Sequence, residues 1–570
     1  KLTKPATIRL PRPCSRRRVP PVSRRRLTRM AVATLGSAQM ETIAIVGTGL
    51  AAVSAAKVLI NRGIRPTILD CGDILDEQRR TTVERMSNLD PDNWDRADVN
   101  LVTSNPTILN KKILPRKLAF GSDYFYGKAD QYQSVKTDGI MPPVSYAKGG
   151  LSAGWGASVL PPDATELESW PISTQDLEPY FKLVLSDLPY SAVDDGLSAV
   201  FPLYSDKNDP LELSNGNKDI LNDLQKHSAL NDADSVLFGQ ARLLVKSTKG
   251  SIANGCKYCG YCMSGCVYGC IYKSSQDIDK FIASNLIDYI PKTLVHSVSE
   301  NENDVGVLVY KQDTGKTVNL TFDKILIAAG AVNSCRIVLR SKNIFNKTIR
   351  LLSTVTFIAP VFRLKRTKID WPNVNTEPGI FLEYKTNTRT GRWIHTQLST
   401  PNEMVLERLG IDLNKNNISQ WIKRKLVDHL IVAHGNIHSD DANGYFLTLE
   451  KATDDKMDVL HSRREQIERT RDAIHESVWT LFKILRRIGC YVMLPLVQNS
   501  IQSGGFHVGG TLPMMKHPIA ETDTNLLGNP KGWRRIHVID SSVFPSLPAT
   551  TPGLLAMANA ARIASEIVRD

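Results

Sequence analysis

The chain has 570 residues, of which 42% are hydrophobic and 23% are charged, a composition typical of a globular protein with two or three domains. Its formal net charge of +13 comes mainly from residues 1–40, which contain two Lys, nine Arg and no acidic residue. Because the rest of the chain is almost balanced in charge, the sequence argues against nucleic-acid binding. No uncharged apolar run approaches the ~20 residues of a membrane helix, so no integral membrane segment is expected.

Residues 1–40 are expected to be a disordered basic leader or an added extension, with Met30 or Met40 as the natural start. The stretch SRRRL at residues 23–27, followed by MAVATLGSA, faintly resembles a twin-arginine export signal. Because this likeness is faint, a cytoplasmic location is expected, and export to the periplasm through this leader is the alternative.

Residues 41–70 carry a dinucleotide-binding pattern. ETIAIVGTG is typical of a buried strand entering a glycine-rich turn, LAAVSAAKVLINRG of a helix, and PTILD of a second strand that ends at Asp70. Gly47 allows the tight turn, Gly49 lets the backbone approach a pyrophosphate, and Ala52 permits close packing of helix on strand. The amino end of the helix favours the phosphates, and Asp70 can accept hydrogen bonds from a ribose. The pattern predicts a bound dinucleotide without separating FAD from NAD.

Five cysteines fall within fifteen residues in the stretch CKYCGYCMSGCVYGC. The spacing of Cys256, Cys259, Cys262 and Cys266 equals that of bacterial ferredoxins, although Val267 stands where Pro usually follows, and Cys270 is a further candidate ligand. Three alternatives remain open from the residues: an iron–sulfur cluster, structural thiols without metal, and a zinc site or disulfide.

Two patterns stand out in residues 345–495. The stretches LIVAHGNIH and GYFLTLE alternate in polarity, which predicts an antiparallel sheet. Residues 458–489 carry a charged, helix-like pattern and predict one long helix.

The carboxyl-terminal residues contain FHVGGTLPM around His507, the strand RIHVID ending at Asp540, and a loop that enters an Ala-rich helix. Together with KGGLSAGWG (148–156), WPISTQDLEPYF (170–181) and KILIAAGAVNSCRIVLRS (324–341), this segment resembles the glucose–methanol–choline (GMC) FAD-dependent oxidoreductases. The resemblance covers about residues 41–340 and 495–570. The cysteine segment, through CMSGC, partly resembles the cluster-bearing sugar dehydrogenases of the same family.

The resemblance implies an α/β fold with a Rossmann-like FAD-binding domain and a substrate cap of antiparallel sheet plus helix. The expected FAD-binding domain spans residues 41–344, with a Cys-rich insertion near 250–275, and residues 496–570 return to it. Residues 345–495 are expected to form the cap.

The resemblance also implies roles for single residues. His507 would act as base on a substrate hydroxyl while the carbon gives hydride to flavin N5. The second catalytic position, usually His or Asn before a Pro, is Thr551 before Pro552, and a Thr hydroxyl cannot act as a base. The family's cofactor-binding positions correspond to Gly149, Gly150, Ser152, Gly154, Ala329, Gly330, Asp540 and Pro552.

FAD is expected to be non-covalent, because relatives attach it through a His near the first glycine-rich region and no His precedes His227. The expected partners are a small hydroxyl substrate, sugar-like or other, and an external electron acceptor or electron-transfer protein. Two alternatives remain: an oxygen-using alcohol oxidase with structural cysteines, and a catalytically silent flavin-binding homologue, which the Thr at position 551 keeps open.

Overall fold

The structure is a computed structural model that describes residues 41–106, 116–138, 141–206, 208–227, 235–247, 255–386, 391–411, 417–452, 458–465, 468–501 and 504–568. The expected leader at residues 1–40 lies outside these ranges. Among the helices that the structure describes, none is both long and apolar enough to cross a membrane.

The strands, in chain order, are β1 (Ile43–Val46), β2 (Thr67–Leu69), β3 (Val135–Asp138), β4 (Val236–Gln240), β5 (Asp288–Ile290), β6 (Thr293–Glu300), β7 (Val305–Lys311), β8 (Lys316–Phe322), β9 (Lys324–Ile327), β10 (Thr348–Ser353), β11 (Val355–Arg363), β12 (Ile380–Lys385), β13 (Trp393–Ser399), β14 (Leu430–Ile437), β15 (Tyr445–Glu450), β16 (Val459–Arg464), β17 (Cys490–Val492), β18 (Gln498–Asn499), β19 (Val508–Gly509) and β20 (Ile536–Val538). The α-helices are α1 (Leu50–Asn61), α2 (Glu77–Ser87), α3 (Arg96–Thr103), α4 (Ala129–Tyr132), α5 (Thr174–Ser186), α6 (Asn215–Lys226), α7 (Ser274–Ala283), α8 (Ala331–Ser341), α9 (Glu403–Arg408), α10 (Ile418–Val427), α11 (Glu468–Leu485) and α12 (Pro552–Ile567).

A parallel sheet in the order β20-β9-β1-β2-β5 contains both strands of the predicted dinucleotide-binding segment, and we call it the nucleotide end. Every residue of β1 is buried, as expected for a central strand covered on both faces. The Ala-rich helices α1 and α12 pack against each other in the same hydrophobic core, because small side chains allow close approach. This arrangement confirms the Rossmann-like part of the fold prediction.

An antiparallel sheet in the order β17-β11-β14-β13-β12-β4, with β18 beside β11, contains five strands of the segment expected to form the cap, and we call it the cap sheet. Burial alternates along β11. Val355, Phe357, Ala359 and Val361 pack in one core with α11. Thr356 and Ile358 lie on the opposite face. The prediction of an antiparallel sheet with a helix is therefore confirmed. The sheet also takes in β4, from an earlier part of the chain.

A second, mixed sheet has the order β19-β10-β15-β16-β3, and β6, β7 and β8 form a separate antiparallel meander. The prediction of one helix over residues 458–489 is wrong at its start. Residues Val459–Arg464 form β16, paired along its length with β15, and the described helix spans Glu468–Leu485. Leu460 and Ser462 are buried, and the residues on either side of each are more exposed, which is the two-residue period of a strand. The charged residues around them made the segment resemble a helix.

Candidate active site

A cavity of about 1350 Å³ lies between the carboxyl ends of the parallel strands and the cap sheet. Open α/β sheets bind ligands at this edge. The predicted site residues that line it are Gly47, Gly49, Asp70, Gly150, Ser152, Gly154, Ala329, Gly330, His507, Asp540, Thr551 and Pro552. Two others do not line it: Ala52 is buried in the helix–sheet core, and Gly149 lies behind the wall against Ser275.

The first glycine-rich turn forms a cradle for an anion. Gly47 has a left-handed φ of +96°, and a Cβ there would lie 2.7 Å from the Ala328 carbonyl oxygen. Gly49 is the N-cap of α1, with no side chain capping the helix, and a Cβ on it would meet nothing within 4 Å. The first N–H groups of α1 therefore face the cavity without a side-chain partner, which suits a pyrophosphate.

Asp70 follows β2 at the same edge. Its Oδ2 accepts hydrogen bonds from Thr48 Oγ1 at 2.8 Å and from Tyr289 Oη at 3.2 Å. Burial raises the pKa of this carboxyl to about 7, against the lowering effect of the two hydrogen bonds. A buried carboxyl of this kind can accept a hydrogen bond from a ribose hydroxyl.

The second glycine-rich segment packs directly on the first. Gly149 N donates to Thr48 Oγ1 at 2.9 Å, and a Cβ on Gly150 would lie 3.3 Å from Gly49 Cα. Ser152 Oγ donates to the Gly149 carbonyl at 2.6 Å. Close backbone approach, rather than side-chain chemistry, accounts for these glycines.

Asp540 fixes the turn at the start of α8. Its Oδ2 accepts hydrogen bonds from Gly330 N at 2.7 Å and from Ser334 Oγ at 2.6 Å, while burial raises its pKa. Ser334 Oγ also accepts from Ala329 N at 3.1 Å. Asp540 thus positions the Ala-Gly turn, and Gly330 leaves the amino end of α8 uncapped beside the cavity.

His507 directly precedes β19 in the cavity wall, where its carbonyl accepts a hydrogen bond from Thr354 N at 3.2 Å. Burial, together with the nearby His434 and His395, lowers the pKa of its imidazole to about 4. The ring is therefore neutral at pH 7 and can accept a proton.

Thr551 lines the same cavity, but its hydroxyl is hydrogen-bonded to the protein backbone. Its Oγ1 donates a hydrogen bond to the Ser158 carbonyl at 2.5 Å, and the residue is the N-cap of α12, with Pro552 as the first helical residue. The hydroxyl proton is committed to the backbone, which agrees with the expectation that this position supplies no base.

The cap contributes polar groups that the sequence analysis did not single out. His434, Gln397, Asn436 and Thr356 line the cavity on facing positions of β14, β13 and β11. Thr356 Oγ1 donates to Asn436 Oδ1 at 2.9 Å. Burial lowers the pKa of His434 to about 4. The alternation in LIVAHGNIH was the available signal, because it places His434 and Asn436 on one face.

A buried pair stands behind these residues. His395 Nδ1 and Glu383 Oε1 are 2.6 Å apart on neighbouring strands, and both side chains are fully buried. His395 Nε2 lies 3.0 Å from Gln397 Nε2, which connects the pair to the cavity wall. Glu383 and His395 therefore hold the orientation of Gln397.

The cysteine segment joins the nucleotide end to the cap. Thr376 N donates to Cys262 Sγ at 3.4 Å, Asn375 Nδ2 donates to Cys256 Sγ at 3.4 Å, and Cys270 N donates to Cys266 Sγ at 3.2 Å. Burial raises the pKa of the Cys259 thiol to about 12.

Among the described residues, which include all five of these cysteines, no group of three or more His, Cys, Asp or Glu is arranged to hold a metal ion. The iron–sulfur alternative for Cys256, Cys259, Cys262, Cys266 and Cys270 is therefore not supported. The cysteines in the described ranges are also free of disulfides. The side chains accept N–H···S contacts from the protein backbone and from Asn375, and a hydrogen bond from the Cys270 thiol lowers the pKa of Cys266 to about 6.

Comparisons with known proteins found a family-model match and structures with a similar fold. The family model described as GMC oxidoreductase matches residues 442–560. The fold is similar to that of pyridoxine 4-oxidase from Mesorbium loti, with a TM-score of 0.56 at 12% identity over 92% of this chain and 98% of that one. No curated protein sequence matches the chain.

Proposed function

We propose that this chain is an FAD-dependent enzyme of the GMC oxidoreductase type that oxidises a hydroxyl group, and the match of residues 442–560 to the GMC oxidoreductase family model supports the proposal. The observation that carries the proposal is His507, a neutral imidazole in the wall of the cavity at the edge of the nucleotide-binding sheet. A base at this place is what removal of a hydroxyl proton requires.

The cavity would hold FAD as a non-covalent cofactor. The uncapped amino end of α1 at Gly49 would hold the pyrophosphate, and Asp70 would hold a ribose. Gly330 at the start of α8 and Pro552 at the start of α12 line the remaining wall. When bound, FAD would supply the acceptor for the substrate's hydride.

His507 would take the hydroxyl proton, because its ring is neutral at working pH and faces the cavity. His434 is the neighbour best suited to share this task, since it lines the same cavity from the cap and also has its pKa lowered by burial. The two imidazoles would replace the pair of residues usual in the family, of which Thr551 cannot be one.

The substrate would be a small molecule whose hydroxyl group lies at the polar end of the cap face. Gln397, Asn436 and Thr356 provide amide and hydroxyl groups there for hydrogen bonds. Further along the same face, Val432 and Pro360 are paired on β14 and β11 and turn the wall apolar. The cavity therefore favours a primary or secondary alcohol with an apolar portion, with sugar-like polyols as the competing class, and electrons would pass to an external acceptor.

A second candidate is an oxygen-using alcohol oxidase with structural cysteines. It is favoured by the finding that, among the described residues, no group containing these thiols is arranged to hold a metal ion. The two candidates share the hydroxyl oxidation and differ in the acceptor.

The test is to load the protein with FAD and mix it anaerobically with long-chain alcohols, short alcohols and polyols. The proposal expects loss of the oxidised flavin absorbance with at least one class. Re-oxidation by dissolved oxygen at a rate that supports turnover would favour the oxidase, and slow re-oxidation would favour an external acceptor. A protein that binds FAD but is bleached by none of the classes would be the catalytically silent homologue.

A further inference from the structure

Helix α10 presents its apolar side to solvent. Ile418, Trp421, Ile422 and Leu426, spaced i, i+3, i+4 and i+8, lie on one face and are 80%, 60%, 48% and 60% exposed. We call these four residues the α10 surface. Isolated exposed apolar residues are common, but four on one face of one helix form a continuous patch that needs an occupant.

The polar side of α10 is the one that packs on the protein. Lys423 Nζ and Gln420 Nε2 both donate to the Gly410 carbonyl, at 2.8 and 3.0 Å. Val427 is the one fully buried residue of this helix. The usual orientation of a surface helix, apolar side inward, is thus reversed.

One basic residue lies within the α10 surface. The helix contains Lys423, Arg424 and Lys425 and no acidic residue; Lys423 and Arg424 lie on the packed side, whereas Lys425 lies among the apolar residues with its Nζ 5.7 Å from the centre of the Trp421 ring.

The neighbouring loop begins with the exposed Leu364 and continues Lys-Arg-Thr-Lys; Arg366 pairs with Asp428 at the end of α10, Lys365 pairs with Asp219, and Lys368 is exposed. A helix of net positive charge with an exposed apolar face suits the interface of an anionic membrane.

The packed side of α10 connects to the cavity lining. Gly410, which accepts the hydrogen bonds of Lys423 and Gln420, follows Leu409, an exposed residue that lines the cavity. Leu430, three residues after α10, lines the cavity as well.

We propose that the α10 surface docks the protein on an anionic lipid bilayer, with the apolar face of α10 in the headgroup region and Lys425 on the lipid phosphates. This surface is independent of the chemistry proposed above, so it stands whether or not the protein oxidises an alcohol.

The test is vesicle flotation of the full chain. Vesicles with equal parts of phosphatidylcholine and phosphatidylglycerol should bind at least about tenfold more tightly than vesicles of phosphatidylcholine alone, since each basic residue near an anionic surface adds about fivefold. High salt should reduce the difference by screening.

A matched pair of variants separates the α10 surface from general hydrophobicity. Ile418→Ser should weaken binding about fivefold to tenfold, because the side chain would be removed from the interface. Ile519→Ser makes the same change at an equally exposed isoleucine, 81% against 80%, in the loop before β20, and should leave binding unchanged. Lys425→Glu should weaken binding to the anionic vesicles only.

Three results would overturn the proposal. Vesicle binding could be absent or equal for both lipid compositions. Ile418→Ser and Ile519→Ser could have the same effect. Light scattering could show a dimer that Ile418→Ser converts to a monomer, which would make the α10 surface a contact between two copies of this chain. Unfolding temperatures equal to that of the parent protein would establish that these exposed substitutions leave the fold intact.

Discussion

Two glycines in one turn should respond in opposite ways to the same substitution. Gly47→Ala forces a Cβ to 2.7 Å from the Ala328 carbonyl oxygen at a left-handed φ of +96°. The left-handed conformation alone costs about 1–2 kcal/mol, and the backbone contact adds to that figure. For a folded unit of this size, a loss of about 2–4 kcal/mol lowers Tm by about 2–4 °C.

Gly49→Ala places its Cβ in open space, with nothing within 4 Å and an ordinary φ of −67°. The apoprotein should therefore keep its Tm. FAD binding should weaken about tenfold to a hundredfold, because the methyl group would occupy the approach of the pyrophosphate and forfeit charged hydrogen bonds worth about 1.5–3 kcal/mol.

The assay is thermal unfolding of the apoprotein, followed by titration with FAD by quenching of flavin fluorescence. Gly63→Ala serves as a control for the left-handed conformation alone, because its φ is +75° and a Cβ there meets nothing within 4 Å. Unchanged FAD affinity in Gly49→Ala would refute the placement of the pyrophosphate at the amino end of α1. A Gly47→Ala protein no less stable than Gly63→Ala would refute the steric argument.

Thr551→Val should slow anaerobic flavin reduction by less than about tenfold, because the lost hydrogen bond to a backbone carbonyl is worth about 1 kcal/mol; a larger fall in a stopped-flow measurement would give the hydroxyl a catalytic role. The rate of flavin reduction should stay constant as pH falls towards 5 and drop only as the pH approaches the His507 pKa of about 4, since protonation removes the base. A drop in rate near the ordinary pKa of His would contradict the lowering of this pKa by burial. Glu383→Gln should lower the free energy of unfolding by about 1–3 kcal/mol in urea, because buried His395 loses its charged partner, and an unchanged midpoint would show that the pair is not coupled. Metal analysis of the flavin-containing protein should find no stoichiometric iron, and iron that is lost on mutation of the Cys256–Cys270 segment would show that these thiols hold a metal.

The nucleotide end could be predicted from the sequence because its signals are local. The apolar run of β1, the glycines that follow it and Asp70 lie within thirty residues and determine strand, turn and helix together. The closing strand β20 is far along the chain, but its own RIHVID pattern and the Ala-rich helix after it identify it.

The cap could be predicted only in outline, because its contacts are distant in sequence. His434 faces the cavity through its register with Ile358 on β11 and Gln397 on β13, which no local pattern specifies. β16 looked helical because its charged residues resemble the solvent face of a helix, while its pairing with β15 decided the matter.

The cysteine spacing illustrates the same limit. Spacing fixes how far apart thiols lie along the chain, but their directions depend on packing against Asn375 and Thr376 of the cap. Thr551 is the opposite case, since the departure from the family pattern was visible in the sequence and the hydrogen bond to Ser158 supplies its physical reason.

The most direct test of the central claim is the rate of anaerobic flavin reduction in His507→Ala with a substrate that bleaches the parent protein. The account predicts a fall of about a hundredfold or more, the range expected for loss of a general base, with FAD affinity retained. His475→Ala, an exposed histidine on α11, is the matched control and should reduce at the parent rate. A His507→Ala protein that binds FAD and is reduced as fast as the control would contradict the assignment of His507 as the base.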